Sequence, residues 1–178
     1  MLTAAPRVFG LAALVVLAAC GGNHPTPTPT VAPTPAVPTA AQLCQLLSAA
    51  DWIAAGLSGA RSPSINSDGP GTGSAYCTYG SSSGASGGLE LDVFVGPTLN
   101  DAQTTFATIA QSLPPSDPPT LSGIDDGLIN TNIDPGFGAI LVRAGKLVVT
   151  ITLPTSGAAR DQLTSLAQIV LSRALALE

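Results

Sequence analysis

Side chains able to do covalent or acid–base chemistry are scarce in this chain: cysteines at Cys20, Cys44 and Cys77, a single histidine at His24 and a single lysine at Lys146. Ser-His-Asp and Cys-His catalysis both need an imidazole to carry the proton. His24 lies in a proline-rich stretch that cannot hold a ligand or a base in fixed geometry, so neither triad chemistry nor a histidine-based zinc site is expected of the part that folds. Ser-Lys chemistry would fall to Lys146, which follows Gly145 at a hairpin pattern and reads as a solvated strand end. Gly69-Pro70-Gly71-Thr72-Gly73 has the glycines of a phosphate loop. It lacks the preceding strand, the following helix and the Lys-Ser/Thr pair, so it reads as an ordinary loop. No catalytic residue and no cofactor is assigned.

Asp125, Asp126, Asn130, Asn132 and Asp134 fall within ten residues of one another. Oxygen-rich clusters can hold Ca²⁺, but this spacing is not that of an EF-hand, and Asp and Asn are also ordinary turn formers. No metal is assigned. A glycosidase needs two carboxylates on opposing walls of a sugar cleft, whereas adjacent Asp125 and Asp126 are expected to point apart. The five residues are read as a possible binding loop within Ser116–Gly136, a stretch that holds four of the eleven acidic residues and would attract a cationic or hydrogen-bond-donating partner. A solvated connection whose Asp and Asn only shape turns is the competing reading. Ser58–Gly73 is the other candidate loop.

Cys20 has a different context. Met1–Arg7 carries one positive charge, Val8–Ala19 is an almost continuous apolar run, and small residues follow, the layout of a secretory signal. A membrane-spanning helix needs about 20 apolar residues, and Gly21, Gly22, Asn23 and His24 end this run first. Leu17-Ala18-Ala19-Cys20 resembles the bacterial lipobox, in which the cysteine thiol receives a diacylglycerol and a peptidase cuts immediately before it. Two or three acyl chains, at about 0.8 kcal/mol per buried CH₂, hold a protein stably where one chain does not. The expected organisation is a signal peptide at 1–19, lipidated Cys20 with a Pro/Thr-rich linker at 20–39, and one extracytoplasmic domain at 40–178. The expected location is a cell membrane, lipid-anchored and facing outside the cytoplasm.

The linker holds six prolines between Gly21 and Thr39. Such alternation disfavours helix and cannot build a core. Without Met1–Ala19 the chain carries five Lys/Arg against eleven Asp/Glu, a formal side-chain charge of −6. Binding to a polyphosphate backbone needs clustered cations, so nucleic acid is not expected as a partner.

Within 40–178, Thr39-Ala-Ala-Gln42 has a capping-box pattern and Ser48-Ala-Ala-Asp51 places Asp near the positive end of a helix. A short turn and then a helix are expected, with Leu43, Leu46, Leu47, Ala50, Ala54 and Leu57 on one face and a break by Gly59. Ser74–Tyr79 reads as a strand. Leu89–Val95 is a clearer one, its Leu89, Leu91, Val93 and Val95 alternating with Glu90, Asp92 and Phe94. Asn100-Asp-Ala-Gln103 is expected to cap a helix running to about Leu113, with Ala102, Phe106, Ile109 and Ala110 inward. Phe137–Arg143 and Lys146–Leu153 form a hairpin about Ala144-Gly145. A last helix from Gly157 to Leu175 carries the stripe Leu163, Leu166, Ala167, Val170, Leu171 and Ala174. The fold class is α+β: an antiparallel sheet of about four to five strands with helices packed on it in two layers. Once Cys20 is acylated, Cys44 and Cys77 remain, and an even pair outside the cytoplasm is expected to be bridged rather than to present a reactive thiol.

Leu43-Cys44-Gln45-Leu46-Leu47-Ser48 before a short Ala-rich helix, Tyr76-Cys77-Thr78-Tyr79, a Gly-Asp turn before the last hairpin and a C-terminal amphipathic helix give a resemblance over most of 40–178. In this the chain resembles the small actinobacterial lipoproteins of the Lpr type, a family of unknown function. The resemblance implies a PsbP-like fold, with helices on an antiparallel sheet, and a bridge between Cys44 and Cys77. Where that family tends to have Gly-x-Gly-Asp-x-Ala, this chain has Gly123-Ile-Asp-Asp-Gly-Leu128. The resemblance carries no activity. The resulting expectation is a non-catalytic binding or scaffold protein of the cell envelope, not an enzyme. It would meet the membrane through its lipid anchor and take an envelope protein or ligand as partner. The alternatives are a carrier of lipid or a small apolar ligand, which needs a cavity between sheet and helices, and a hydrolase.

Overall fold

In a computed structural model of the chain, the described residues are 36–57, 63–66, 73–80, 89–134, 136–154 and 159–177. Cys20, His24, residues 1–19 and most of the linker lie outside them, as do 58–62 and 67–72 of the candidate loop Ser58–Gly73, including 69–72 of the stretch that resembles a phosphate loop. One compact unit spans Pro35–Glu178.

Two short helices open the domain, each held by a reciprocal cap. In α1 (Ala40–Cys44) the Thr39 hydroxyl accepts from the Gln42 N–H, and Gln42 Oε1 accepts from the Thr39 N–H at 2.8 Å. Ser48 and Asp51 repeat the arrangement for α2 (Ala49–Ala54). Each box satisfies two N–H groups that a helix start leaves without partners. Because α2 restarts at its own cap, the phase of α1 does not continue into it. Leu43, Leu46 and Leu47 are buried as expected, but Ala50 and Ala54 face outward and Trp52 is fully buried instead.

Among the described residues six strands form one antiparallel sheet: β1 (Ser64–Asn66), β2 (Ser74–Thr78), β3 (Glu90–Val95), β4 (Asp126–Asp134), β5 (Phe137–Ala144) and β6 (Leu147–Pro154), in the order β1-β2-β3-β6-β5-β4. The α+β class holds. The strand count exceeds the expected four to five because β1 and β4 arise inside Ser58–Gly73 and Ser116–Gly136, both read from the sequence as loops. β5 and β6 meet across Gly145 and Lys146, with Gly145 at φ 55°, so the turn lies one residue later than Ala144-Gly145. A positive φ at the first of two loop positions matches the right-handed twist of the flanking strands.

α3 (Leu99–Ser112) begins earlier than the sequence suggested. Its cap is Thr98, which accepts from the Asp101 N–H while Asp101 Oδ2 accepts from the Thr98 N–H at 3.0 Å. A threonine three residues before an aspartate outcompetes Asn100 as the cap because both of its ends are satisfied. α4 (Ala159–Ala174) buries the expected stripe of Leu163, Leu166, Ala167, Val170, Leu171 and Ala174.

The layering differs from two-layer packing. On one face of the sheet, Leu91, Val93, Ile140, Val149 and Ile151 pack with α1, α2 and α4. Leu141 and Val148, which point the other way, are covered by Ala102, Phe106 and Ile109 of α3. From Gly138 to Ala144 β5 is therefore buried on both faces, which explains the apolar run Phe137–Val142. Cys44 and Cys77 form the expected disulfide, with Cα atoms 5.7 Å apart, and it ties α1 to β2. Tyr79 reinforces the tie: its hydroxyl donates to the carbonyls of Cys44 at 2.6 Å and Leu47 at 3.2 Å, and its ring packs on Trp52.

Candidate functional site

The structure places Asp125, Asp126, Asn130, Asn132 and Asp134 at the start of and along an edge strand, not in a loop. Asp125 and Asp126 do not point apart. Both converge on Arg143, 7% exposed, opposite Asp126 in β5. Asp126 Oδ2 accepts from Arg143 Nε at 2.9 Å and from Nη2 at 2.6 Å, while Asp125 Oδ2 accepts from Nη1 at 2.9 Å and from the Gly145 N–H at 2.7 Å. A planar guanidinium with donors on two sides can take both carboxylates at once. These oxygens thus serve the arginine and the hairpin turn.

Asn130 donates from Nδ2 to the Pro115 carbonyl at 2.8 Å, and its Oδ1 accepts from the Asn132 N–H at 2.8 Å. Beside it, Asp117 and Ile129 exchange backbone hydrogen bonds at 3.0 and 2.8 Å. The chain around Pro115–Pro119 therefore covers part of the free edge of β4. It lies so close that a Cβ on Gly127 would come within 2.7 Å of Pro119 Cγ. Asp134 ends the strand opposite Phe137, beyond a register shift, and its side chain is outside the described set. Lys146 is exposed at the turn.

A different surface gathers mixed chemistry. α3 packs against β5 and β6 and on the same face reaches Phe94 of β3, while Asp92 in the middle of β3 stays exposed. There the register aligns Tyr76, Asp92 and Thr150 in one cross-strand row, with Thr78, Glu90 and Thr152 in the next. Partial burial, a hydrogen bond to Glu90 and the nearby charges of Glu90 and Asp92 push the Tyr76 hydroxyl up to about 12, so the phenol stays protonated. Where this open face meets α3 there is a shallow cleft of about 280 Å³. Phe94, Ile109 and Val148 give it apolar carbon. Ser74, Thr105 and Thr150 add hydroxyls, and Asp92 adds a carboxylate.

Comparison with protein-family models, curated proteins and solved structures gives no match. The chemistry of the cleft must be read from its own side chains. Its hydroxyls donate and accept, and its carboxylate only accepts. Nothing among the lining residues is an imidazole, amine or thiol that would activate a hydroxyl as nucleophile. Among the described residues no three metal-ligating side chains come together, and no helix is long and apolar enough to cross a membrane.

The sequence offered part of this site. The alternation of β3 marks Asp92 and Phe94 as sharing a face, and Thr105 and Ile109 stand one helical turn apart on α3. Ser74 and Thr150 carry no local signal, because only the sheet order places β2 and β6 on either side of β3.

Proposed function

We propose that the chain is a lipid-anchored extracytoplasmic lipoprotein, held to the membrane through Cys20, whose folded domain is a non-catalytic binding module of the cell envelope with the cleft beside α3 as its site. The observation that carries the binding role is the cleft itself, where apolar carbon, hydroxyls and one carboxylate converge from three strands and a helix. The anchor rests on the signal layout and Leu17–Cys20. A disulfide between Cys44 and Cys77 accords with an oxidising compartment. The motif resemblance to small actinobacterial lipoproteins gains a physical meaning, because Leu43–Ser48 and Tyr76–Tyr79 are the two segments that the disulfide and Tyr79 hold together. A lipid carrier would need a larger apolar cavity, whereas this cleft is small and partly polar.

The test is site-specific photocrosslinking in native membranes, with the probe at Thr105 and a control probe at Ser165, which is exposed on α4. A species captured at Thr105 and absent at Ser165 is the expected result. Equal labelling at both positions would remove the cleft as the working surface.

A further inference from the structure

Resting on the reading of Cys20 as a lipid anchor, we infer that the end of the sheet at which the chain enters the domain rests on the lipid surface, with Val37, Leu99, Leu175 and Leu177 reaching into the boundary of headgroups and acyl chains. These are four of the six large apolar side chains that stand exposed among the described residues, each at least 41% exposed. This end is made by the starts of β2 and β4, the end of β3 and the turn between β5 and β6, because the register sets Ser74 beside Phe94, Val95 beside Leu147 and Asp126 beside Arg143. Val37 lies there. A Cβ on Gly73, just before β2, would come within 3.2 Å of its Cγ1. Leu99 lies there too, at the start of α3 and shortly after Gly96, whose N–H donates to the Lys146 carbonyl at 2.8 Å.

α4 brings the other two. Near its start Arg160 reaches Asp117, which is bridged to Ile129 in β4, and further along Gln168 meets Ser122, just before the Asp125 that holds the hairpin turn. The helix therefore runs toward the same end. At about 1.5 Å per residue Leu175 lies about 10 Å beyond Gln168, and Leu177 belongs to the same final turn. The four side chains thus come from helices on both faces of the sheet and from the chain's entry, not from one surface. A partner protein is gripped by a contiguous, closely packed apolar centre, whereas a lipid interface takes in separate side chains and suits this spread. The charges nearby are largely matched within the chain: Arg143 by Asp125 and Asp126, Arg173 by Asp51, while Asp101 caps α3. Lys146, exposed at the turn, is placed to lay its carbon stem on the interface and its ammonium beside a lipid phosphate. The tether decides for lipid over other occupants. Val37 follows Gly21–Ala36, the segment that leads from Cys20, so an acylated chain delivers this end to the bilayer at an effective concentration on the order of millimolar. A contact too weak to hold the domain without the anchor forms readily with it.

The experiment uses methyl NMR on the mature protein, its Cys20 lipidation confirmed by mass, in phosphatidylcholine nanodiscs with and without a phosphatidylcholine spin-labelled high in the acyl chain. The methyl signals of Val37, Leu99, Leu175 and Leu177 are expected to be lost with the spin label. Ile65, exposed on β1 and opposite Cys77 well inside the sheet, is expected to keep its signal. Leu99→Ser with Leu175→Ser should lower the docked-to-free ratio by about tenfold or more and restore the Val37 and Leu177 signals. The buried Leu91 and Ile151 methyls, unchanged, check that this variant is folded. Ile65→Ser should alter nothing. Equal loss at Ile65 and at the other four, or no loss at any of them, overturns the docking while the anchor stands. Loss that needs no spin-labelled lipid and grows with the number of chains per nanodisc assigns this end to a second copy, which also overturns it. A sample whose Cys20 is unmodified ends the anchor reading itself, and the docking with it.

Discussion

Arg143 is the one charged side chain among the described residues that is almost wholly removed from water, and its donors are taken by Asp125, Asp126 and the Gly145 carbonyl. A buried guanidinium stripped of its partners is costly, about 3–5 kcal/mol when the pair is fully buried. Here the two carboxylates are about half exposed, so water would replace part of what is lost. Asp125→Asn with Asp126→Asn is therefore expected to cost about 1–3 kcal/mol. The readout is the urea midpoint, and a midpoint no lower than that of wild type would show that the clamp contributes nothing. Asp51 supplies a pH-dependent counterpart. Arg173 donates to both of its oxygens, at 2.6 and 2.9 Å, and holds the carboxyl down at about 2 against burial, with help from Ser48. A carboxyl whose pKa is depressed by folding adds stability that is complete above its unfolded value and disappears as pH falls through the folded value. Between about pH 4 and pH 2 the domain should lose about 1–2 kcal/mol that Asp51→Asn does not lose, the figure being reduced because Arg173 is partly exposed. Acid titrations of urea stability that run parallel for the two proteins would contradict this.

At the scale of elements, α1 is held to β2 by two devices that act on the same few residues. Closing a loop of this separation, 33 residues, is worth about 3–4 kcal/mol in the chain-entropy model. The Tyr79 hydroxyl, buried between the Cys44 and Leu47 carbonyls, adds about 1–2 kcal/mol that Tyr79→Phe should remove. Because α1 must be docked for either device to count, the double removal, Cys44→Ala/Cys77→Ala with Tyr79→Phe, should cost less than the sum of the two. Strict additivity in a double-mutant cycle would mean that the two act on independent elements. These devices were partly visible in the sequence, since cysteine number and compartment paired Cys44 with Cys77, and periodicity gave β3, the last hairpin and α4. β4 was hidden because Asp126, Gly127, Asn130, Asn132 and Asp134 carry the composition of a turn. What makes it a strand is the pairing of Leu128 and Ile129 with Leu141 and Ile140, a tertiary partner that local propensity does not contain. β1 is shorter still, three residues on an edge, with no alternation long enough to read. The burial of Trp52 was missed for a different reason, the fresh cap at Ser48 that shifts the phase of α2.

For the whole molecule, the candidate site was the least legible feature, because its lining is drawn from Ser74 to Thr150 and exists only once β3 and β6 are neighbours. The acidic stretch drew attention in the sequence because its residues are adjacent, and that adjacency is what lets two of them grip one arginine. The proposed anchor at Cys20 stands at the opposite extreme. Its signal is wholly local, and among the described residues the core begins with Leu43 behind the Thr39 cap. The two parts should therefore separate cleanly on mutation. Wild-type protein is expected to partition with detergent and to begin, by mass spectrometry, at a Cys20 bearing a diacylglycerol. Cys20→Ser is expected to leave the membrane fraction while keeping the wild-type urea midpoint, because hydrocarbon burial by the acyl chains drives attachment and adds nothing to the core. A mature protein with an unmodified Cys20 thiol, or a Cys20→Ser variant that stays membrane-bound, would show that something other than this lipid holds the domain at the surface.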